Sequence, residues 1–189
     1  MEWRDVLMAP AHRAAPRLIG WELVHGAVRA RITETEAYHS LADRACHAAK
    51  GRTARTETLF APAGALYVYL CYGMHWMLNL ICDEPDVPSA VQIRGVEILA
   101  GHDVVARRRS RSDLRAANGP GKVCQALGLD RQHHGLQLGS AQCALLLLPP
   151  SQPRRRLHRS PRVGVDYAGP AWSAKRWRWW ETGFPVINM

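Results

Sequence analysis

Two glutamates, Glu34 and Glu36, stand two residues apart in ITETEAY (32–38). In an extended chain that spacing places both carboxylates on one face. The rest of the face is Val28, Ala30, Ile32 and Tyr38, while Arg29, Arg31, Thr33 and Thr35 fall on the other. A carboxylate on a face otherwise turned to the core must be desolvated, ion-paired or at the mouth of a pocket, because an unpaired buried charge is costly. In a pocket it is a natural general base. The competing reading is an ion pair with an arginine at the strand end. Glu34, one step nearer the core, is the stronger candidate for a structural role.

The aromatics suggest what such a base would act on. Tyr38, Tyr67, Tyr69 and Tyr72, four of the five tyrosines, share two segments with the acids and His47. Rings beside an acid in a basic protein suit a nucleobase held between them, where stacking contributes roughly 1–3 kcal/mol per base. Tyrosine also favours strands, so an aromatic core is the alternative. Tyr72 is harder to assign to a core. It sits at the turn Tyr72-Gly73-Met74, well placed to enter a base stack as a wedge. Enzymes that act on a base inside a duplex extrude it at a cost of about a few kcal/mol, and Tyr72 is the candidate to fill the gap.

Several elements must position these groups. Residues 5–25 predict a short helix broken by Pro10 and Pro16, then a strand entry. The period-two pattern from Ala27 to Tyr38 predicts a strand. Residues 65–82 predict a hairpin turning at Gly73, and 89–99 a further strand. Residues 106–129 read as helices, with Pro120 in a first turn and Gly128 as a stop. CALLLLPP (143–150) predicts a buried strand and SQPRRRLHRSPR (151–162) a basic loop, followed by a tail holding Trp172, Trp177, Trp179 and Trp180. The order is not a βαβ rhythm. It predicts an α+β fold in one domain over residues 1–189, a mixed antiparallel, curved sheet or open barrel with surrounding helices and a protruding hairpin. No dinucleotide or P-loop glycine motif is present.

Bulk properties narrow the partners. The chain has 189 residues, 25 Lys plus Arg against 16 Asp plus Glu and a formal net charge of +9, a surface that attracts polyanions such as nucleic acid. Its five cysteines form no C-x-x-C pair, which argues against a disulfide framework or a zinc ribbon. His102, His133 and His134 have no matching ligand set, so neither a metal nor a cofactor is expected. The first residues lack the apolar run of a secretory signal and ALLLL (144–148) is too short to span a bilayer. The expectation is a soluble protein of the cytoplasm, on the nucleoid in a bacterium or in the nucleus of a eukaryote, working as a monomer without a membrane partner.

Taken in order, LIGWELV (18–24), ETEAY (34–38), DRACH (43–47), LYVYLCYGMHWMLN (66–79), IRGVEILAG (93–101), NGPGKVCQALGL (118–129) and RVGVDYAG (162–169) resemble the alkyladenine (3-methyladenine) DNA glycosylase family. The resemblance runs from about residue 14 to the tail, and the YVYxxYGMxxxxN stretch is its most specific part. It implies excision of alkylated or deaminated purines from duplex DNA. Glu36 would activate the attacking water, held also by Arg94 and the backbone carbonyl of Val163. Tyr38, His47 and Tyr69 would sandwich the flipped base, and Asn79 would crowd the exocyclic amino group of guanine. Tyr72 would intercalate beside Met74. Lys122, after Gly119-Pro120-Gly121 at a helix start, would clamp a phosphate together with the Gly121 backbone; Arg107–Arg109, Arg111 and Arg154–Arg156 are further basic candidates. No lysine lies in ETEAY or YVY, so a monofunctional enzyme without strand cleavage is expected.

The chain departs from the family pattern at Ser40, Thr56, Leu59 and Ala63, all between the acid and the hairpin. These bear on substrate range and loop conformation. Two other classes fit the same charge and aromatics: a non-catalytic architectural DNA-binding protein, which needs no acid at position 36, and an RNA-binding or RNA-modifying protein.

Overall fold

The computed structural model describes residues 2–110 and 116–184, so Arg111 lies outside the described residues. The elements are α1 (Trp3–Leu7), α2 (Ala11–Leu18), β1 (Glu22–His25), β2 (Val28–His39), β3 (Leu66–Cys71), β4 (His75–Ile81), β5 (Ser89–Ala100), α3 (His102–Arg109), β6 (Ala116–Asn118), α4 (Pro120–Leu127), β7 (Leu146–Leu148), β8 (Leu157–Ser160), α5 (Pro170–Ser173) and β9 (Arg178–Glu181). Short 3-10 turns cover His47–Lys50, Glu57–Phe60, Arg131–His133 and Asp166–Ala168.

Among the described residues, nine strands form one open sheet in the order β3-β4-β5-β2-β1-β7, with β6 on β5, and β9 joining β2 to β8. Every pairing among the described strands is antiparallel. The fold is thus α+β, with no parallel pairing among the described strands. Strand β2 lies at its centre, flanked by β1, β5 and β9.

That position changes the reading of its two faces. The face opposite the acids is also covered, since Arg31, Thr33 and Thr35 are all buried. Thr35 donates its hydroxyl to the Ala15 carbonyl of α2 at 3.0 Å, and Arg31 pairs with Glu181 of β9 at 2.8 Å. Register also shifts between Arg29 and Ala30, between Ile32 and Glu34, and between Glu34 and Thr35, and such bulges interrupt strict alternation.

Other expectations need correction. Pro16 does not break the helix. It lies inside α2, where Ala11, Ala14, Ala15 and Leu18 are buried, and packing of that face holds a turn that proline alone would weaken. The basic stretch 151–162 is not wholly loop, because Leu157–Ser160 forms β8 against β9. The tryptophan tail contributes β9, with Trp179 buried. Strand β6, in the region expected to be helical, pairs with Gly95, Val96 and Glu97. In CALLLLPP, Leu145 and Leu147 are buried but Leu146 is exposed, as alternation at a sheet edge requires.

The hairpin forms where expected. Cys71 pairs with His75, and three residues make the turn. Both Tyr72 (φ 51°) and Gly73 (φ 68°) are left-handed, a conformation that favours glycine and is costly for tyrosine.

Candidate active site

Strands β2, β3, β4 and β5 bring most of the candidate residues onto one end of the sheet. Glu36 is paired with Gln92, which is also paired with Asn79, and Asn79 with Tyr67. Paired antiparallel residues project to the same face. A cavity of about 510 Å³ opens over this end, lined by Tyr38, His47, Tyr69, Asn79, Arg94 and Val163 among others.

Glu36 itself is not at the mouth of the cavity, as the sequence suggested. It is fully buried behind the lining residues Tyr38, Arg94 and Val163, where the neighbouring groups supply the donors that a desolvated carboxylate needs. The Val163 N–H donates to Oε1 at 2.8 Å and the Tyr38 hydroxyl to Oε2 at 2.7 Å. The Arg94 guanidinium approaches the same two oxygens at 3.3 and 3.4 Å. Val163 thus meets Glu36 through its N–H, a contact additional to the water-holding role that the family resemblance implies for its carbonyl.

Glu34 is tied more tightly. Arg94 Nε donates to its Oε1 at 2.9 Å and Arg178 Nε at 2.7 Å. Arg94 therefore bridges both glutamates. Its burial disfavours the charged form, but the carboxylates of Glu36 and Glu34 outweigh that and raise its pKa. The close approach of β5 at this point depends on Gly95, where a Cβ would come within 3.1 Å of the Glu34 Cβ.

The aromatic wall is continuous. The rings of His47 and Tyr69 meet edge to face with centroids 4.7 Å apart, and those of Tyr67 and Tyr69 lie 5.3 Å apart, spacings of favourable aromatic pairs. His47 Nδ1 is 3.0 Å from the Tyr67 hydroxyl. Burial, then the nearby Arg55 cation, lowers the pKa of His47. Tyr38 is braced from behind, with the Arg162 guanidinium 4.9 Å from its ring centre. Arg162 is in turn held by Asp43 through bonds of 2.6 and 2.9 Å. Burial, and then the Glu36 charge, drive the Tyr38 pKa well above its ordinary value, so its hydroxyl stays a donor. The cavity also meets Cys46, whose thiol burial pushes up to about 12, which removes it as a nucleophile.

At the rim, Tyr72 is 86% exposed and Met74 71%, so two large apolar side chains project from the hairpin tip. Behind them Gly121 packs on the hairpin, where a Cβ would lie 2.9 Å from the His75 Cβ. Lys122 is half-buried in the first turn of α4 and is not among the cavity-lining residues. Some basic candidates have internal partners. Arg108 caps α4 through the Ala126 carbonyl at 2.9 Å, Arg107 pairs with Asp103 at 3.1 Å, and Arg154 bonds the Pro16 carbonyl at 3.1 Å.

The sequence reading missed Gln92, Arg55, Arg162 and Arg178 as members of this assembly. Gln92 was legible in principle, since it shares strand parity with Arg94. Arg178 was not, because only the docking of β9 brings it to Glu34. Two departures from the family pattern acquire a physical role. Thr56 is buried and its hydroxyl accepts from the Thr53 N–H and donates to the Gly51 carbonyl, at 2.8 and 2.9 Å. Ser40 occupies φ 72°. Among the described residues no group of three or more His, Cys, Asp or Glu side chains could hold a metal ion, and no helix is long and apolar enough to cross a membrane.

Comparison with known proteins places the chain in a class. The model of the methylpurine-DNA glycosylase family matches residues 5–185. A DNA-3-methyladenine glycosylase of Arabidopsis thaliana is 41% identical over 178 residues, covering 92% of this chain and 68% of the plant protein. A Cutibacterium acnes protein provisionally named a 3-methyladenine DNA glycosylase is 38% identical over 188 residues, 96% of each chain. One from Myxococcus xanthus with the same provisional name is 44% identical over 176 residues, 90% of this chain and 84% of its own. The chain belongs to the methylpurine-DNA glycosylase family, DNA-repair hydrolases that act on N-glycosyl bonds.

Proposed function

We propose that this protein flips alkylated or deaminated purines, of the 3-methyladenine, hypoxanthine or ethenoadenine type, out of duplex DNA and hydrolyses the N-glycosidic bond with a water activated by Glu36. The observation that carries the reading is the placement of one carboxylate directly beneath an aromatic cavity, joined to its wall by the Tyr38 hydroxyl at 2.7 Å.

In this scheme the damaged base enters between Tyr38, His47 and Tyr69. A cationic alkylated purine gains from the electron-rich rings, and a neutral His47 avoids repelling it. Water reaches Glu36 beside Arg94, whose contacts at 3.3 and 3.4 Å are longer than a strong charge-assisted bond and leave the carboxylate able to accept a further donor. Glu36 takes its proton as the oxygen attacks C1′, and the C1′–N9 bond breaks with its electron pair leaving on the base. The negative carboxylate also favours the oxocarbenium-like sugar. Arg94 and the Val163 N–H keep the carboxylate oriented, and Asn79 discriminates against guanine. The cavity lining contains no lysine, which supports a monofunctional reaction ending at an abasic site.

Tyr72, with Met74 beside it, fills the vacated position in the duplex. Lys122 and the Gly121 backbone at the start of α4 contribute a phosphate contact. The free cysteines fit a reducing compartment such as the cytoplasm, and one monomer suffices for one flipped base. Duplex oligonucleotides carrying each damaged base, incubated with the protein and then treated with alkali, test the scheme. Release of at least one base by the wild type is expected, with retained binding and no release for Glu36→Gln. Normal turnover by that variant removes Glu36 from the mechanism.

A further inference from the structure

Gln92 is absent from the scheme above, although it is 4% exposed and lines the cavity floor. Its strand register sets it opposite both Glu36 and Asn79. Its amide lies between Arg94, whose Nη1 donates to Oε1 at 3.4 Å, and Tyr69, whose hydroxyl is 3.4 Å from Nε2. Guanidinium is donor-only, so the atom facing Arg94 must be the carbonyl oxygen. The orientation of the amide is thereby fixed, and its NH₂ points to the Tyr69 side of the cavity. That group carries two hydrogens and makes one long contact. An uncharged amide donor is thus held in the cavity lining beside Arg94, the partner of Glu36.

Purine chemistry determines what this donor can meet. Two ring positions flank the bond to the sugar at N9. On the imidazole side C8 carries only hydrogen, whereas on the pyrimidine side N3 has a lone pair. A donor next to the Glu36–Arg94 pair therefore finds one acceptor at the sugar end of the base.

Resting on the proposed function, we infer that Gln92 is a specificity-determining residue whose Nε2 donates to N3 of the flipped purine. As the C1′–N9 bond breaks, the departing electron pair is shared between N9 and N3, and a hydrogen bond at N3 stabilises that charge. A neutral base such as hypoxanthine needs this help. An N3-methylated adenine has no lone pair there and leaves as a neutral base, so it gains nothing from the amide.

Single-turnover excision from duplexes carrying hypoxanthine, its 3-deaza analogue (N3 replaced by C–H) or 3-methyladenine tests the inference, with wild type and Gln92→Leu compared on each. The variant should lose about tenfold or more on hypoxanthine and be unchanged within about twofold on the 3-deaza base and on 3-methyladenine. Equal loss on hypoxanthine and its 3-deaza analogue, or no loss on hypoxanthine, overturns the inference. So does a wild type that releases 3-methyladenine but not hypoxanthine. Release of no base at all by the wild type rejects the proposed function itself, and this inference with it. Should Gln92→Leu fail to fold, Gln92→Met carries the same comparison.

Discussion

The Tyr38 hydroxyl donates to Glu36 Oε2 at 2.7 Å, although the two residues are only two apart on one strand. The wall of the cavity and the acid buried behind it are therefore one hydrogen-bonded unit. The ring proposed to stack on a base also holds the carboxylate behind it.

Tyr38→Phe separates the two roles. The ring remains, so binding of a damaged duplex should stay within about threefold. The carboxylate loses a bond of the charged kind, which contributes about 1.5–3 kcal/mol. Single-turnover excision should fall about 10- to 100-fold, and thermal stability should drop. A variant with weakened binding and an unchanged rate would show that the hydroxyl serves only the ring.

Tyr72→Ser should leave stability within about 0.5 kcal/mol, because the side chain is exposed at the hairpin tip. Excision from duplex DNA should slow, with a smaller loss when the damaged base is already unpaired. Equal losses on the two substrates, measured side by side, would argue against a wedge.

Ser40→Gly should stabilise the protein. Ser40 is held at φ 72°, where a side chain is strained, and its N–H is bonded to the Pro88 carbonyl at 2.7 Å, which ties the backbone to that shape. The extra freedom of glycine in the unfolded chain offsets part of the gain, leaving about 0.5–1 kcal/mol. Urea denaturation of the two proteins provides the check, and a lower midpoint for the variant contradicts the argument.

His47 supplies a pH dependence of known sign. Its folded-state pKa lies below the ordinary 6.5, through burial first and the Arg55 cation second. The unfolded chain therefore binds the proton more readily. The contribution to stability is complete above about pH 6.5 and is lost as pH falls toward the folded value. Base binding should weaken over the same acid range, most for a cationic purine. NMR titration of the ring should give a value under 6.5 that rises, without fully recovering, in Arg55→Ala.

Much of the site was legible locally. The spacing of Glu34, Glu36 and Tyr38 places them on one strand face, and Gly73 between two strand-like runs places Tyr72 and Met74 at a tip. These features depend on neighbours within a few residues, which sequence periodicity reports directly. The tail was not legible in this way. The pattern around Arg178 and Trp179 does not reveal that β9 will lie against β2, because that pairing joins Glu34 to Trp180 across most of the chain.

By itself, then, the sequence determined which groups are available and which of them share a strand: the acid, the rings, the aromatic hairpin tip and the excess of positive charge. Tertiary structure decided their environment. It buried Glu36 behind the cavity wall instead of leaving it at the mouth, gave its two oxygens to Val163, Tyr38 and Arg94, and locked Glu34 between Arg94 and Arg178. It also turned the Gln92 amide toward the cavity. The physical reason is that burial and ion pairing are properties of residues 58 to 144 positions apart, which local spacing does not encode.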